Sequence, residues 1–471
     1  MCDPLALHTP SLSCSHPSLS PTQSPALTYP LKTAILGAGV SGLALARLLI
    51  ERGVAANDLH LFEAAPVVGG LCLSKTVNGF TYDISGGHIL FSKDAEVMQW
   101  MKDVAGGDDA FVSCARNTKI RFDDRWVHYP FENGIGDLPD QANFECLKGY
   151  IEAWHARKAT GSEAPGDFAS WIQWRFGDGI AKHFMDPYNE KIWKRPLSEI
   201  TSSWVAGRVP DAPIEDILKA AIGMRTEGYT HQSSFFYPKK GGFQAITDGM
   251  GSTLGSQTRL STRVETITRN GDAWKVNGED FDRIVSTLPL NELPDILDGV
   301  PTEIGEAMRG LAFNSIVTFL VALNRAEHPD LSWIYLPQHK QGPVNRATYM
   351  SNYSPGNAPE GKTSFLLEVT VPGGAPSPGK ELEREVMDGV ISAGLLKRDE
   401  VMFTDRSQCK YAYIVYDHQL AARREASLKW CEDNGVELLG RFGHYDYFNS
   451  DQCVIAARAL ADRLAGEAAR G

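Results

Sequence analysis

A glycine fingerprint between a short apolar strand and an apolar helix, helical periodicity between about residues 140 and 230, and strand-like runs from about 235 to 372 together predict an α/β protein. The expected architecture is a Rossmann-like unit with an inserted helical domain and an antiparallel β-sheet domain. A chain of 471 residues suits two or three such packed units. The expected division is an N-terminal extension (1–30), the Rossmann-like unit in three pieces (31–104, 233–300 and 426–471), a sheet-domain segment (105–136), the helical domain (137–232) and the main sheet (301–425).

The first thirty residues are rich in Ser, Pro and Thr and hold no Lys or Arg, so they lack the charged start of a secretory signal and the arginines of a transit peptide. They read as a disordered extension. Order is expected from Leu31-Lys32-Thr33-Ala34-Ile35-Leu36, a buried-strand pattern, followed by glycines and the apolar helix around Leu43 to Leu49. Leu59-His60-Leu61-Phe62-Glu63 closes a βαβ unit. Trp171, Trp174, Phe184, Ile192 and Trp204 are the apolar anchors of the helical stretch. Strands are expected at 261–267, 283–288, 315–321 and 364–369, and an Ala-rich helix at 452–470.

Lys plus Arg number 46 against 58 Asp plus Glu, a net charge of -12 that repels a polyanionic backbone, and nucleic acid is not expected as a partner. No stretch of about 18 apolar residues is present, so no membrane anchor is expected. The eight cysteines are scattered without a CxxC pair, which suits reduced thiols and a cytoplasmic location, and no metal site is assigned.

Gly37-Ala38-Gly39-Val40-Ser41-Gly42 is G-x-G-x-x-G between strand and helix, the context in which glycines admit a tight turn, a pyrophosphate and close helix packing. The helix start then offers amides and partial positive charge to phosphate. Glu63, 26 residues past Gly37 at a strand end, suits the ribose hydroxyls. The segment from Glu63 through Gly69-Gly70-Leu71 resembles the second flavin-binding segment of the glutathione-reductase-like and amine-oxidase-like flavoproteins, which makes FAD the expected cofactor.

Further motifs narrow the resemblance. Gly86-Gly87-His88-Ile89-Leu90-Phe91, Trp126-Val127-His128-Tyr129-Pro130-Phe131, Met185 to Trp193, Gly207-Arg208-Val209, Ser332-Trp333-Ile334-Tyr335, Asn345-Arg346-Ala347-Thr348, Ser351-Asn352-Tyr353-Ser354-Pro355 and Gly440-Arg441-Phe442-Gly443 occur in an order similar to that of the eukaryotic UDP-galactopyranose mutases. The resemblance spans about residues 33 to 460. It implies a pyranose/furanose mutase in which N5 of reduced FAD attacks the anomeric carbon of a nucleoside-diphosphate sugar without net redox change, with NADH or NADPH as reductant.

The same resemblance implies roles for individual residues. Arg208 and Arg346 would clamp the diphosphate, because a guanidinium fork matches phosphate oxygens and fixed cations favour a departing anion. Tyr335, Tyr413 and Tyr447 would donate around it, with Tyr129, Tyr353, Trp333 and Gln232 also on the substrate side. Asn189 and Trp193 would face the sugar. His88 and Gly87 would lie at the flavin ring, with Arg116, Val264, Arg441 and Gln452 as further flavin contacts. Taken singly, Trp193, Trp333 and His88 read as core residues; their motifs assign them to the site.

Two positions depart from the family pattern. Glu132 stands where a glutamine is usual, and Gln232 where an asparagine is expected. A carboxylate does not donate as an amide does, so nucleotide recognition is rebuilt there and nucleotide and sugar stay open. The alternative is an amine-oxidase-like or protoporphyrinogen-oxidase-like flavoenzyme, for which an apolar cleft would serve better than paired arginines. The oligomeric state is left open.

Overall fold

Thr33–Leu36 is buried at every position and forms the middle strand of a five-stranded parallel sheet. Continuous burial of a Thr-Ala-Ile-Leu run is what a parallel strand covered on both faces requires. In the computed structural model, which describes residues 31–205, 213–226, 233–271 and 273–468, this sheet runs Glu437–Leu438, Arg283–Ser286, Thr33–Leu36, Leu59–Phe62, Thr258–Arg259. Three stretches far apart in the chain therefore build one Rossmann-like layer. Helix Val40–Glu51 packs on it against the C-terminal helix Ser450–Ala468. The expected extension, 1–30, lies outside the described residues.

A seven-stranded sheet forms the second layer, in the order Val401–Ile414, Phe313–Leu323, Thr363–Pro372, Arg346–Tyr349, Trp333–Tyr335, Thr118–Phe122, Arg125–His128. It is antiparallel except where Trp333–Tyr335 runs parallel to Thr118–Phe122. Its two faces alternate as the pleat demands. Val317, Phe319, Val321, Phe365 and Leu367 pack towards Val386 and Val390 of helix Lys380–Ser392, whereas Leu320, Ala322 and Leu366 join the core shared with the Rossmann-like layer. The helical region comprises Asp140–Thr160, Phe168–Ile180, a π turn at Ala181–Met185, Asp186–Trp193 and Ile214–Ala221 around a core of its own.

One expected strand is absent. Residues 261–266 form no ladder: the amides of Ser261 and Thr262 donate to the carbonyls of Ala65 and Glu63, and those of Glu265 and Thr266 to the Asn277 side chain. The β-rich composition of that stretch is overruled by tertiary partners. Strand pairing resumes at Ile267–Asn270. No helix among the described residues is long and apolar enough to cross a membrane.

Candidate active site

The phosphate-binding turn follows directly from its glycines. Gly37 has φ +104°, and a Cβ there would lie 2.3 Å from Thr287 Oγ1. A Cβ on Gly42 would lie 2.0 Å from the Gly37 carbonyl, so that residue sets how closely the helix approaches the turn. Gly39 meets Gly70 by backbone alone, and the segment Gly39 is bridged in parallel to Gly69. Val40 and Ser41 are buried in the first helical turn, and Leu71 packs at the edge of the neighbouring core. The Glu63 carboxylate sits under this turn, accepting from the amides of Ala38 (2.9 Å) and Ala65 (2.8 Å), and each oxygen keeps a lone pair for a ribose hydroxyl. Val264 is buried in the adjacent core, in one cluster with Phe62.

A second wall carries the charge. Asp83, with no exposure, receives Ser74 Oγ, Tyr237 OH, the Phe243 amide and the His88 amide, and thereby fixes the Gly86–His88 loop. His88 stacks on Phe243 at 5.2 Å, and its Nδ1, 4.0 Å from Asp83 Oδ2, is buried without a hydrogen bond among the described residues. Burial, seconded by Arg346 and Arg441, pushes the imidazole below its usual range against the pull of Asp83. The neutral ring is thus the stable form near pH 7.

Arg346 lies beside this loop. Its Nε and Nη2 donate to the two oxygens of Glu368 (2.7 and 2.9 Å), its partner across the sheet, and Nη2 also reaches the Gly87 carbonyl (3.3 Å). Glu368, 1% exposed, also accepts from the Gly87 amide at 3.1 Å. One buried carboxylate therefore fixes both the substrate-side arginine and the loop that carries His88. Arg346 keeps about a quarter of its side chain exposed and Nη1 without a hydrogen bond among the described residues.

Tyrosines surround this cation. Burial raises the Tyr353 and Tyr413 hydroxyls above their usual range while Arg346 pulls both down, which places all three in one electrostatic neighbourhood. Tyr335 stands opposite Arg346 in the sheet, with the rings of Tyr129 and Tyr188 each 5.3 Å away. The Arg116 guanidinium is held between the rings of Tyr129 (5.0 Å) and Trp333 (4.9 Å). Arg441 lies 4.6 Å from the Tyr447 ring, with Nε and Nη2 buried and without hydrogen bonds among the described residues. Glu132 is buried in the turn after Tyr129, and burial pushes its carboxyl up to about 7, with Arg175 opposing.

Not every expected contact joins this assembly. Arg208 and Gln232 lie outside the described residues. Gln452 is exposed, and its side-chain oxygen accepts from the Asn449 amide, capping its own helix. Asn189 is buried and returns its amide to the Met185 carbonyl one turn back. Trp193 packs edge-on to Trp204 at 5.0 Å, with its indole N–H making no hydrogen bond among the described residues. Glu368, Asp83 and Tyr188 were missed by sequence reasoning. A lone acid inside Leu366-Leu367-Glu368-Val369 is the signal that could have drawn attention to the first.

These features fit a bound dinucleotide. The cradle has no room for a side chain at Gly37 or Gly42, a carboxylate lies at its strand end, and His88 Nδ1, Thr348 Oγ1 and two Arg441 nitrogens are buried without hydrogen bonds among the described residues. Fold and site together define a flavoenzyme of the dinucleotide-binding class. Residues 40–392 match the family of flavin containing amine oxidoreductases, and the chain belongs to that family, whose cofactor is FAD. Reduced UDP-galactopyranose mutase is similar in structure, with TM-score 0.85 and 27% identity over 93% of this chain and 96% of that one. Cyclohexylamine oxidase from Brevibacterium oxydans shares the fold at TM-score 0.63 and 13% identity, over 93% of this chain and 99% of its own. A flavin-containing amine oxidase of Oncorhynchus mykiss is 23% identical over 258 residues, which take in 51% of this chain and 46% of that protein; the chain spans less than half of that relative.

Proposed function

We propose that the protein is a flavin-dependent nucleotide-sugar mutase that interconverts pyranose and furanose forms. The observation that carries this reading is Arg346, locked by Glu368 and ringed by Tyr335, Tyr353 and Tyr413. A fixed cation with hydroxyl donors suits a departing diphosphate and gives little to the oxidation of an apolar amine. The likeness to a UDP-galactopyranose mutase over nearly the whole chain supports the same reading.

Reduced FAD, when bound, supplies the nucleophile for the anomeric carbon. The chain's own part is to bind and orient. Arg346, with Arg208 as its proposed partner, would neutralise charge gathering on the diphosphate, and Tyr335, Tyr353, Tyr413 and Tyr447 would donate to its oxygens. Asn189 and Trp193 would border the sugar, while Tyr129 and Glu132 would meet the nucleoside. Neutral His88 would hold the loop backbone at the flavin edge, and Arg441 would favour an anionic reduced ring. NADH or NADPH is the proposed reductant, a nucleoside-diphosphate sugar the proposed partner, and the cytoplasm the proposed compartment.

The test is anaerobic incubation of dithionite-reduced protein with UDP-, dTDP- and GDP-linked hexoses, followed by chromatography and proton NMR. Ring interconversion is expected only with reduced flavin and without net consumption of reductant. Arg346→Ala is expected to lower turnover about a hundredfold or more with flavin retained. Absence of conversion, together with amine- or porphyrinogen-dependent reduction of oxidised flavin, would transfer the protein to the oxidase branch.

A further inference from the structure

Helix Asp186–Trp193 continues the helical run of Phe168–Ile180 through the π turn at Ala181–Met185, and it carries Asn189, Trp193 and Tyr188, whose ring lies 5.3 Å from that of Tyr335. The π turn interrupts the regular ladder before it, and tertiary contacts set its place. One is Asn314, whose side-chain amide donates to the carbonyls of Ile192 (3.0 Å) and Trp193 (2.8 Å) from a position paired with Tyr413.

The other contact is Lys191. This side chain is buried, and its ammonium donates to the carbonyls of Leu336 (2.8 Å), Gln338 (2.9 Å) and Val344 (3.1 Å). All three lie in the connection between Trp333–Tyr335 and Arg346–Tyr349, the strands that set Tyr335 opposite Arg346. Three N–H donors meet three acceptors, and no carboxylate pairs with the ammonium among the described residues. Burying a charge without a counter-ion is unfavourable, so the gain is in geometry.

We propose that Lys191 is a positioning residue, which ties the helix presenting Asn189 and Trp193 to the hairpin presenting Tyr335 and Arg346 and so fixes the separation of two walls of the substrate site. The proposal rests on the mutase reading of that site. Burial, and then the charge of Lys194, push the ammonium down to about 7, and Glu190, Lys194, His339, Lys340, Glu385 and Asp388 line the cleft beside it. Measurements at pH 6 therefore address the charged form with all three donors.

The experiment uses flavin-loaded, full-length Lys191→Met and Lys191→Arg variants, with Lys194→Met as control. Lys194 has no side-chain hydrogen bond or ion pair among the described residues. Amide exchange is followed by mass spectrometry over residues 186–194 and 336–345, alongside UDP binding to the oxidised holoprotein. Lys191→Met is expected to speed exchange in both segments about tenfold and to weaken UDP binding about tenfold, with flavin content and absorption spectrum unchanged. Lys191→Arg, which keeps charge and donors, is expected to recover part of both, and Lys194→Met to leave both unaltered. Unchanged exchange, or faster exchange with unaltered UDP affinity, overturns the proposal. A wild-type protein that binds no nucleotide would sink the mutase reading instead, and the exchange rates alone would then decide for or against the tie.

Discussion

Arg346 owes its direction to Glu368, a carboxylate placed in a strand whose neighbours are apolar. Removing one partner of a buried pair leaves the other charge uncompensated, at a cost of about 3 kcal/mol or more. Glu368→Ala is therefore expected to lose about 3 kcal/mol in urea unfolding and most of the turnover. Glu368→Gln, which keeps one acceptor for the Gly87 amide, should lose less stability but still lose activity. A Glu368→Ala protein as stable and active as the parent would show that the pair does not hold the site. Glu132 makes the opposite case, a buried acid whose ionisation is a burden. Its carboxyl is raised to about 7, so the proton it holds in the folded state stabilises fully at low pH, and that contribution is lost as pH rises from the ordinary carboxylate range through 7. Glu132→Gln is expected to flatten this slope and to gain up to about 3 kcal/mol over the parent at pH 8, measured by denaturation at pH 5 to 8. Identical pH profiles for parent and variant would count against a raised Glu132. Below pH 7 this acid also donates, which restores to the turn after Tyr129 the donor that an ionised carboxylate denies.

At the scale of elements, the strand–turn–helix start was legible because its signals are local. Glycines, strand and helix lie within Thr33–Glu51, and their residue types signal the turn before the distant contacts of Gly37 with Thr287 and of Gly39 with Gly70 are known. Gly42→Ala tests that account, since its Cβ would meet the Gly37 carbonyl at 2.0 Å and must push the helix off the turn. Overpacking of this kind is expected to cost about 1–3 kcal/mol and to lower the flavin content of purified protein. Full flavin occupancy and unchanged stability would contradict it. The expected strand at 261–267 shows where local reasoning ends. Its composition favours a strand, but Asn277 and the Glu63 segment supply partners that only the folded chain brings near. Gln452 shows what a motif leaves unsaid on a helix: its side-chain oxygen is taken by its own helix start, a role its place in the motif does not signal.

At the scale of the molecule, the candidate site belongs to no single stretch of chain. Asp83 gathers groups from 74, 88, 237 and 243, and Glu368 links 87 to 346, so sequence alone could name the arginine without its anchor. The proposed FAD contacts are likewise spread over 37–42, 63–71, 87–88, 264 and 441, on pieces that meet only after the parallel sheet and the seven-stranded sheet have packed. A ligand that binds only this packed state stabilises it by mass action, about 2.7 kcal/mol at a free concentration a hundred times its dissociation constant. Apoprotein stripped of flavin is thus expected to melt at lower temperature, with amide exchange rising first in the loops at 69–73 and 439–449 rather than in strands Phe313–Leu323 and Thr363–Pro372. Added FAD should restore the melting temperature in a concentration-dependent way. FMN lacks the adenosine half assigned to Glu63 and the glycine turn, so it should restore much less. Equal rescue by the two flavins would mean that the turn and Glu63 contribute little to cofactor binding, and their assignment would have to be given up.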